Sequence, residues 1–287
     1  VSEDFIDADA LEGRCACGAQ LPVRGAVRCW DCDDRLAAEF AEQQRREEGE
    51  RRRREWEVHL ADVRANLPHH MAAAGVPTGY LRFTRASWEA RYGRWEDRES
   101  TRGLVGWPQP PLDPAAWLVV FYGPYGRRKT SMATALLAEG LLRGLRCRWW
   151  DMNDYLERLR RGIRLERDGH YGHGSYGEVK LEAVDCDLLV LDDLGAVRGA
   201  RAAPPSPSVV MHDRSQAGWW QEEVAYLLRQ RHSWVRATVV THNGARVEDV
   251  GIVDQSLVSR MDVGFAFDMD DGVDHRREAA AADAREV

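Results

Sequence analysis

Lysine is nearly absent from this chain. Of forty basic residues only Lys129 and Lys180 are lysines, and the rest are arginine. Arginine is the default cation here, so each retained lysine marks a place where a compact ammonium serves and a planar guanidinium does not. No apolar run approaches the ~18 residues a membrane span needs, and the longest, Trp117–Tyr122, is strand-sized. The first residues, Val-Ser-Glu-Asp-Phe-Ile-Asp, are acidic where a secretion signal is basic and then apolar. These absences predict a soluble, cytoplasmic protein with no membrane partner. Forty basic against 47 acidic residues leave a charge of −7, so the chain is no polycation, and 44% hydrophobic content excludes wholesale disorder. Without a secretion signal, six cysteines predict thiols or a metal site, not a disulfide framework.

The 287 residues leave room for one or two domains. Residues 1–34 carry four of the six cysteines. Residues 35–66 are rich in Glu, Arg, Gln and Ala and predict a charged helical arm, with Glu42/Arg46, Glu47/Arg51, Glu48/Arg52 and Glu50/Arg54 each placing the acid four positions before the base. The run Arg51–Arg54 reads either as a contact for nucleic acid or, more simply, as a solvated salt-bridged face. Residues 67–114, broken by Pro68, Pro77, Pro108, Pro110, Pro111 and Pro114, read as an irregular linker. His69 and His70 have no carboxylate or cysteine beside them in sequence.

The texture then changes. Short apolar strands are expected at Trp117–Tyr122, Leu145–Trp150, Asp187–Leu191, Ala237–Thr241 and Val263–Phe267, with helices at Ser131–Arg143, Asp154–Arg167 and Trp219–His232. Alternating elements with nearly all-apolar strands predict an α/β fold whose five-stranded parallel sheet is covered on both faces. This domain is placed at 115–278, with a polar tail at 279–287 and a low-complexity loop around Gly199–Gln216.

The chemistry begins in the turn Gly123-Pro-Tyr-Gly-Arg-Arg-Lys-Thr130. Between a strand and a helix, such a turn wraps phosphates with successive backbone N–H groups, while lysine reaches the β/γ oxygens and threonine ligates Mg²⁺. Gly123, Gly126, Lys129 and Thr130 stand where that pattern wants them. Arg128 does not: the pattern has glycine there, and a side chain predicts steric conflict with the backbone curve. Arg127 and Arg128 add charge, which does not by itself restore a curve. Further on, the strand Leu188–Leu191 ends in two acids, Asp192 positioned for the Mg²⁺ shell and Asp193 for the attacking water. Asn243, after a fourth apolar strand, is expected between those acids and the phosphate loop. Arg260 falls on a short helical piece.

Cys15-Ala-Cys17 and Cys29-Trp-Asp-Cys32 form two close pairs eleven residues apart. Such pairs present four thiolates to one tetrahedral Zn²⁺, the alternative being four unligated thiols. Cys147 and Cys186 fall in or beside apolar strands and are expected in the core. Arg158, Arg160, Arg161, Arg164 and Arg167 crowd one helix, followed by Tyr171, His173 and Tyr176. That mixture fits single-stranded DNA, and equally a solvated helix with a flexible loop.

The order of motifs resembles a family. The phosphate loop, LLVLDDLG, VVTHN and LVSRM, with GVPTGYLRF before them and GVDHRR after, are similar to the DnaC/IstB-like AAA+ ATPases, the bacterial replicative-helicase loaders and transposition helpers. The resemblance covers about residues 65–278. It implies an AAA+ P-loop domain using ATP and Mg²⁺, with Asp193 as catalytic acid, Asn243 as a sensor, Arg260 as an arginine finger reaching a neighbour's nucleotide, and Arg276 or Arg277 as a second sensor. It implies self-association through the ATP sites and a replicative helicase, or a transposase, as partner. Three functions stay open: an ATP-dependent helicase loader on single-stranded DNA, a transposition helper on double-stranded DNA, and a nucleotide-insensitive zinc-bearing adaptor.

Overall fold

A computed structural model describes residues 30–97, 104–108, 117–194, 213–244 and 265–269. The chain divides into two compact units, 1–59 and 60–287. Helix α1 spans Trp30–Ala65 and so begins earlier than the expected residue 35, taking Cys32 into its first turn. Its charged part forms the expected ion pairs Arg46–Glu42 at 2.7 Å and Arg52–Glu48 at 3.6 Å. Arg51 turns instead to Glu55, and Glu47 accepts from Gln43.

In the second unit, strands β1 (Leu118–Tyr122), β2 (Cys147–Asp151), β3 (Leu188–Asp192), β4 (Ala237–Thr241) and β5 (Phe265–Asp268) form one parallel sheet in the order β2-β3-β4-β1-β5. The five expected strands are present, shifted by one or two residues at most of their ends. Their near-continuous apolar character follows from burial on both faces. Val119 and Phe121 of β1, with Val190 and Val239, meet one core; Leu118 and Val120, with Leu189, Leu191 and Val240, meet the other.

Helix α4 (Lys129–Leu142) covers the first face, its Met132, Leu136 and Leu137 wholly buried. Helices α5 (Met152–Arg167), α6 (Tyr176–Asp185) and α7 (Asp213–Ser233) serve the second, α5 contributing Tyr155, Leu156 and Leu159. Cys147 and Cys186 are buried as expected.

The stretch after α1 is not the irregular linker that its prolines suggested. It holds α2 (Leu67–Ala73), α3 (Arg85–Tyr92) and two 3-10 turns, Thr78–Tyr80 and Trp95–Asp97. Pro68 lies in the first turn of α2, where its missing N–H has no intrahelical partner to lose. Thr84 and Ser87 close a reciprocal capping box on α3. Met71, Trp88, Trp95, Leu104 and Trp107 bury themselves in the core shared with α4, so burial of large apolar side chains holds this stretch down. His70 also has a carboxylate after all: its Nε2 donates to Asp62 Oδ2 at 2.8 Å, from the preceding helix.

Candidate nucleotide site

Parallel strands end on the same edge of a sheet, so the residues at their carboxyl ends gather there. The strand order sets β4 between β3, which ends in Asp192, and β1, which feeds the glycine-bearing turn. Asn243 is thereby carried between the acids and the loop, as its sequence position suggested. Asp151 and Asp192 are register partners at the ends of β2 and β3.

The turn itself has the required backbone. Gly123 and Gly126 hold φ of 132° and 81°. Arg128, the residue before α4, has φ 66° and ψ 9°. Glycine takes this left-handed conformation freely, whereas a residue with a Cβ gives up about 1–2 kcal/mol. The steric conflict expected at 128 therefore does not unmake the curve. The Arg128 side chain turns toward α3, its guanidinium carbon 4.3 Å from the Tyr92 ring centroid and 6.0 Å from that of Trp88.

Lys129 is buried, and its Nζ donates to the carbonyls of Gly123 and Pro124, both at 2.7 Å. Thr130 Oγ1 donates to Asp192 Oδ1 at 3.2 Å, and Thr241 Oγ1 donates to the same oxygen at 2.6 Å. Burial lifts the Asp192 carboxyl to about 6, the carboxylates of Asp193 and Asp151 adding to the rise against those two hydroxyls. Asp193 also holds a positive φ, 59°. Its N–H donates to Thr241 Oγ1 at 2.8 Å, and its carboxylate accepts from Asn243 Nδ2.

A cavity of about 430 Å³ opens beside these groups, a size within the usual range for small-molecule sites. Lys129, Thr130, Asp192, Asp193 and Asn243 line it, together with the rings of Tyr80, Phe83 and Tyr92. The donor set fits a magnesium nucleotide. The loop ends at the N-terminus of a 14-residue helix, an ammonium sits among carbonyls, and a hydroxyl faces a carboxyl whose ionisation a cation would favour.

Sequence reasoning missed Thr241, Asp151, Tyr80 and Tyr92. Thr241 carried a signal, a hydroxyl closing an apolar strand. Tyr92 carried none, because its partner at 128 lies on another element. Arg260, Arg276, Arg277, Cys15, Cys17 and Cys29 lie outside the described residues, as does most of the 199–216 loop. Cys32 is half-buried in α1. Among the described residues no group of three or more His, Cys, Asp or Glu is placed to hold a metal ion, and no helix is long and apolar enough to cross a membrane.

The expected DNA contacts divide. Arg158 stacks over Trp150 at 4.5 Å, Arg160 lies 5.6 Å from the Trp219 ring, and Tyr176 donates to Glu223 at 2.7 Å. Those three have partners within the fold, although Arg158 is exposed, as are Arg161, Arg164, Arg167, Tyr171 and His173.

No protein-family model matches the sequence, and no curated protein matches it. Solved structures do. AMPPCP-bound DnaA from Aquifex aeolicus overlaps at 16% identity and a TM-score of 0.46, over 66% of this chain and 50% of that one. The DnaC helicase loader overlaps at 20% identity and 0.39, over 60% and 90%, and DnaI at 16% and 0.44, over 67% and 90%. This chain thus spans about half the length of the DnaA structure. Replication initiators and a helicase loader are among its structural neighbours, the loader a DnaC protein, whose family the order of motifs resembles.

Proposed function

We infer that this chain is an ATP-dependent loader of a replicative DNA helicase, switched by nucleotide at the site above. One observation carries the reading: Lys129, Thr130, Asp192, Asp193 and Asn243 converge on one cavity although they come from three strand ends, and the loop keeps its left-handed residue at 128. When bound, ATP with Mg²⁺ supplies a cleavable phosphoanhydride and a divalent charge. Lys129 exchanges loop carbonyls for phosphate oxygens, Thr130 and Asp192 hold the cation, and Asp193, oriented by Asn243, polarises a water. Arg260 reaches a neighbouring copy's site, so nucleotide favours self-association, and Arg276 or Arg277 completes the copy's own site. Exposed Arg161, Arg164 and Tyr171 meet single-stranded DNA. The four N-terminal cysteines hold zinc in a docking module for the helicase, a reading supported by their paired spacing.

The test is equilibrium binding of Mg²⁺-ATP, followed by phosphate release with single- or double-stranded DNA present. The native chain is expected to bind, and Lys129→Ala to weaken affinity about 30-fold or more, since charged hydrogen bonds are lost. Stimulation by single strands is expected; stimulation by duplex alone would favour the transposition helper. No binding by the native chain would leave the adaptor.

A further inference from the structure

The glycine-bearing turn departs from the phosphate-binding pattern at one position, 128. Arg128 occupies a left-handed position, which a residue with a Cβ adopts less readily than glycine does; its carbonyl accepts from Ser131 Oγ at 2.9 Å. What lies against the side chain is a cluster of rings, two on α3 and one in the 3-10 turn that follows it. The Tyr92 ring lies 4.3 Å from the guanidinium carbon and the Trp88 ring 6.0 Å from it; Trp88 is 5.1 Å from Tyr92, and Trp95 6.3 Å from Trp88. The cluster is itself fixed at its far end. Arg85 stacks over Trp95 at 5.1 Å while binding Glu89 at 2.8 Å and Glu96 at 2.6 Å. Trp88 and Trp95 are each 1% exposed, so the far part of the cluster belongs to the core. A planar cation suits this arrangement, because a guanidinium spreads its charge over a ring face where an ammonium acts as a point.

We propose that Tyr92, beside Trp88, is a positioning residue for nucleotide binding: it holds the Arg128 side chain against α3 and so keeps the loop backbone in the phosphate-binding curve that glycine would adopt unaided. The proposal rests on the nucleotide-binding reading and adds a dependence that this reading does not contain. It makes position 128 and position 92 one unit. A residue at 128 that accepts the left-handed conformation by itself has no need of Tyr92. A residue that neither accepts it nor binds the ring loses the curve.

The experiment is a double-mutant cycle on Mg²⁺-ATP affinity in the full chain, with Arg128→Gly, Tyr92→Leu and their combination, and with Arg128→Met and Tyr92→Phe alongside. Tyr92→Leu and Arg128→Met are each expected to weaken binding about three- to tenfold, the reach of one partly desolvated cation–ring contact. The combination with Tyr92→Leu is expected to bind as Arg128→Gly alone does, and Tyr92→Phe, which keeps the ring, to lose less than Tyr92→Leu. Equal losses from Tyr92→Leu in both backgrounds would mean that Tyr92 touches the nucleotide directly, and would overturn the proposal. A large loss from Arg128→Gly would overturn it too, showing that the guanidinium itself serves the phosphates. Should Tyr92→Leu lower the thermal midpoint, Arg128→Met against Arg128→Gly carries the same contrast without touching α3. Failure of the native chain to bind ATP would strike the nucleotide reading itself, an outcome none of the Tyr92 comparisons can mimic.

Discussion

At the residue scale, two cations, one buried and one half-buried, show why side-chain type matters more than charge. Arg231 is wholly buried and is satisfied by the backbone: Nη1 donates to the carbonyls of Ala183 at 2.8 Å and Cys186 at 2.9 Å, Nη2 to Ala237 at 2.5 Å, and Nε to Thr238 Oγ1 at 2.9 Å. Burial pulls its pKa down, yet the fork of donors joins the end of α6, the start of β4 and α7 in one stroke. Arg231→Met is expected to cost about 3–5 kcal/mol of unfolding free energy, because several buried carbonyls lose their donor together. Arg231→Lys recovers only a small part, since one ammonium cannot span acceptors on separate elements. Urea unfolding followed by tryptophan fluorescence checks this; a loss under about 1 kcal/mol for Arg231→Met contradicts it. Lys180 is the opposite case. Its Nζ sits 3.8 Å over the Tyr226 ring, 3.0 Å from Glu223 and 2.9 Å from the Tyr176 hydroxyl, a pocket for a point charge. The scarcity of lysine in the sequence singled out both residues. It could suggest a role only for Lys129, because the partners of Lys180 come partly from α7, far along the chain.

At the element scale, what could be read ahead was what repeats or alternates. Five apolar strands announced a sheet buried on both sides, and DLLVLDD together with the glycine turn announced its working edge. Helix α6 and the 67–97 stretch could not be read this way. Helix α6 is short and only Val179 and Ala183 are buried along it; the prolines of the other stretch look like breakers unless one knows that Pro68 opens a helix. Helix packing also reverses a local rule. Glycine inside a helix is less favourable than alanine by about 1 kcal/mol, so both Gly49 in α1 and Gly162 in α5 invite substitution. A Cβ at Gly49 meets nothing within 4 Å, whereas one at Gly162 falls 2.4 Å from Tyr176 N and 2.7 Å from Tyr176 Cα, where α6 starts. Gly49→Ala is therefore expected to raise the helical stability of the arm by about 0.5–1 kcal/mol. Gly162→Ala is expected to destabilise by about 1–3 kcal/mol, because backbone must move to admit the methyl. Circular-dichroism melts of the two variants should shift in opposite directions, and a stabilised Gly162→Ala would mean α5 and α6 are not in contact there.

At the scale of the whole 60–287 unit, the sheet is asymmetric from end to end. Its carboxyl edge collects acids, hydroxyls and the loop lysine around a cavity. Its amino edge is closed by an ion network. Arg146, just before β2, meets Asp185 at 2.9 Å and Asp187 at 3.1 Å, and Arg236, just before β4, meets Asp187 at 2.6 Å. These groups bridge the starts of three adjacent strands, so the end of the sheet away from the site is tied while the site end keeps its charges for a ligand. Asp187 takes up the strain of this arrangement: burial opposes its charge, but the hydrogen bonds and charges of Arg146 and Arg236 win and hold its carboxyl below the ordinary range. A depressed folded-state pKa gives stability that is full above the unfolded value near ~4 and is lost as pH falls through the folded value. Asp187→Asn removes that contribution at all pH values. The native chain is thus expected to exceed the variant in urea resistance by a constant margin above about pH 5, with the margin closing below about pH 4. Unfolding curves at a series of pH values measure it directly. A margin that persists unchanged to pH 2 would mean the carboxylate's charge is not what ties these strands, and that the amino edge is held by strand packing alone.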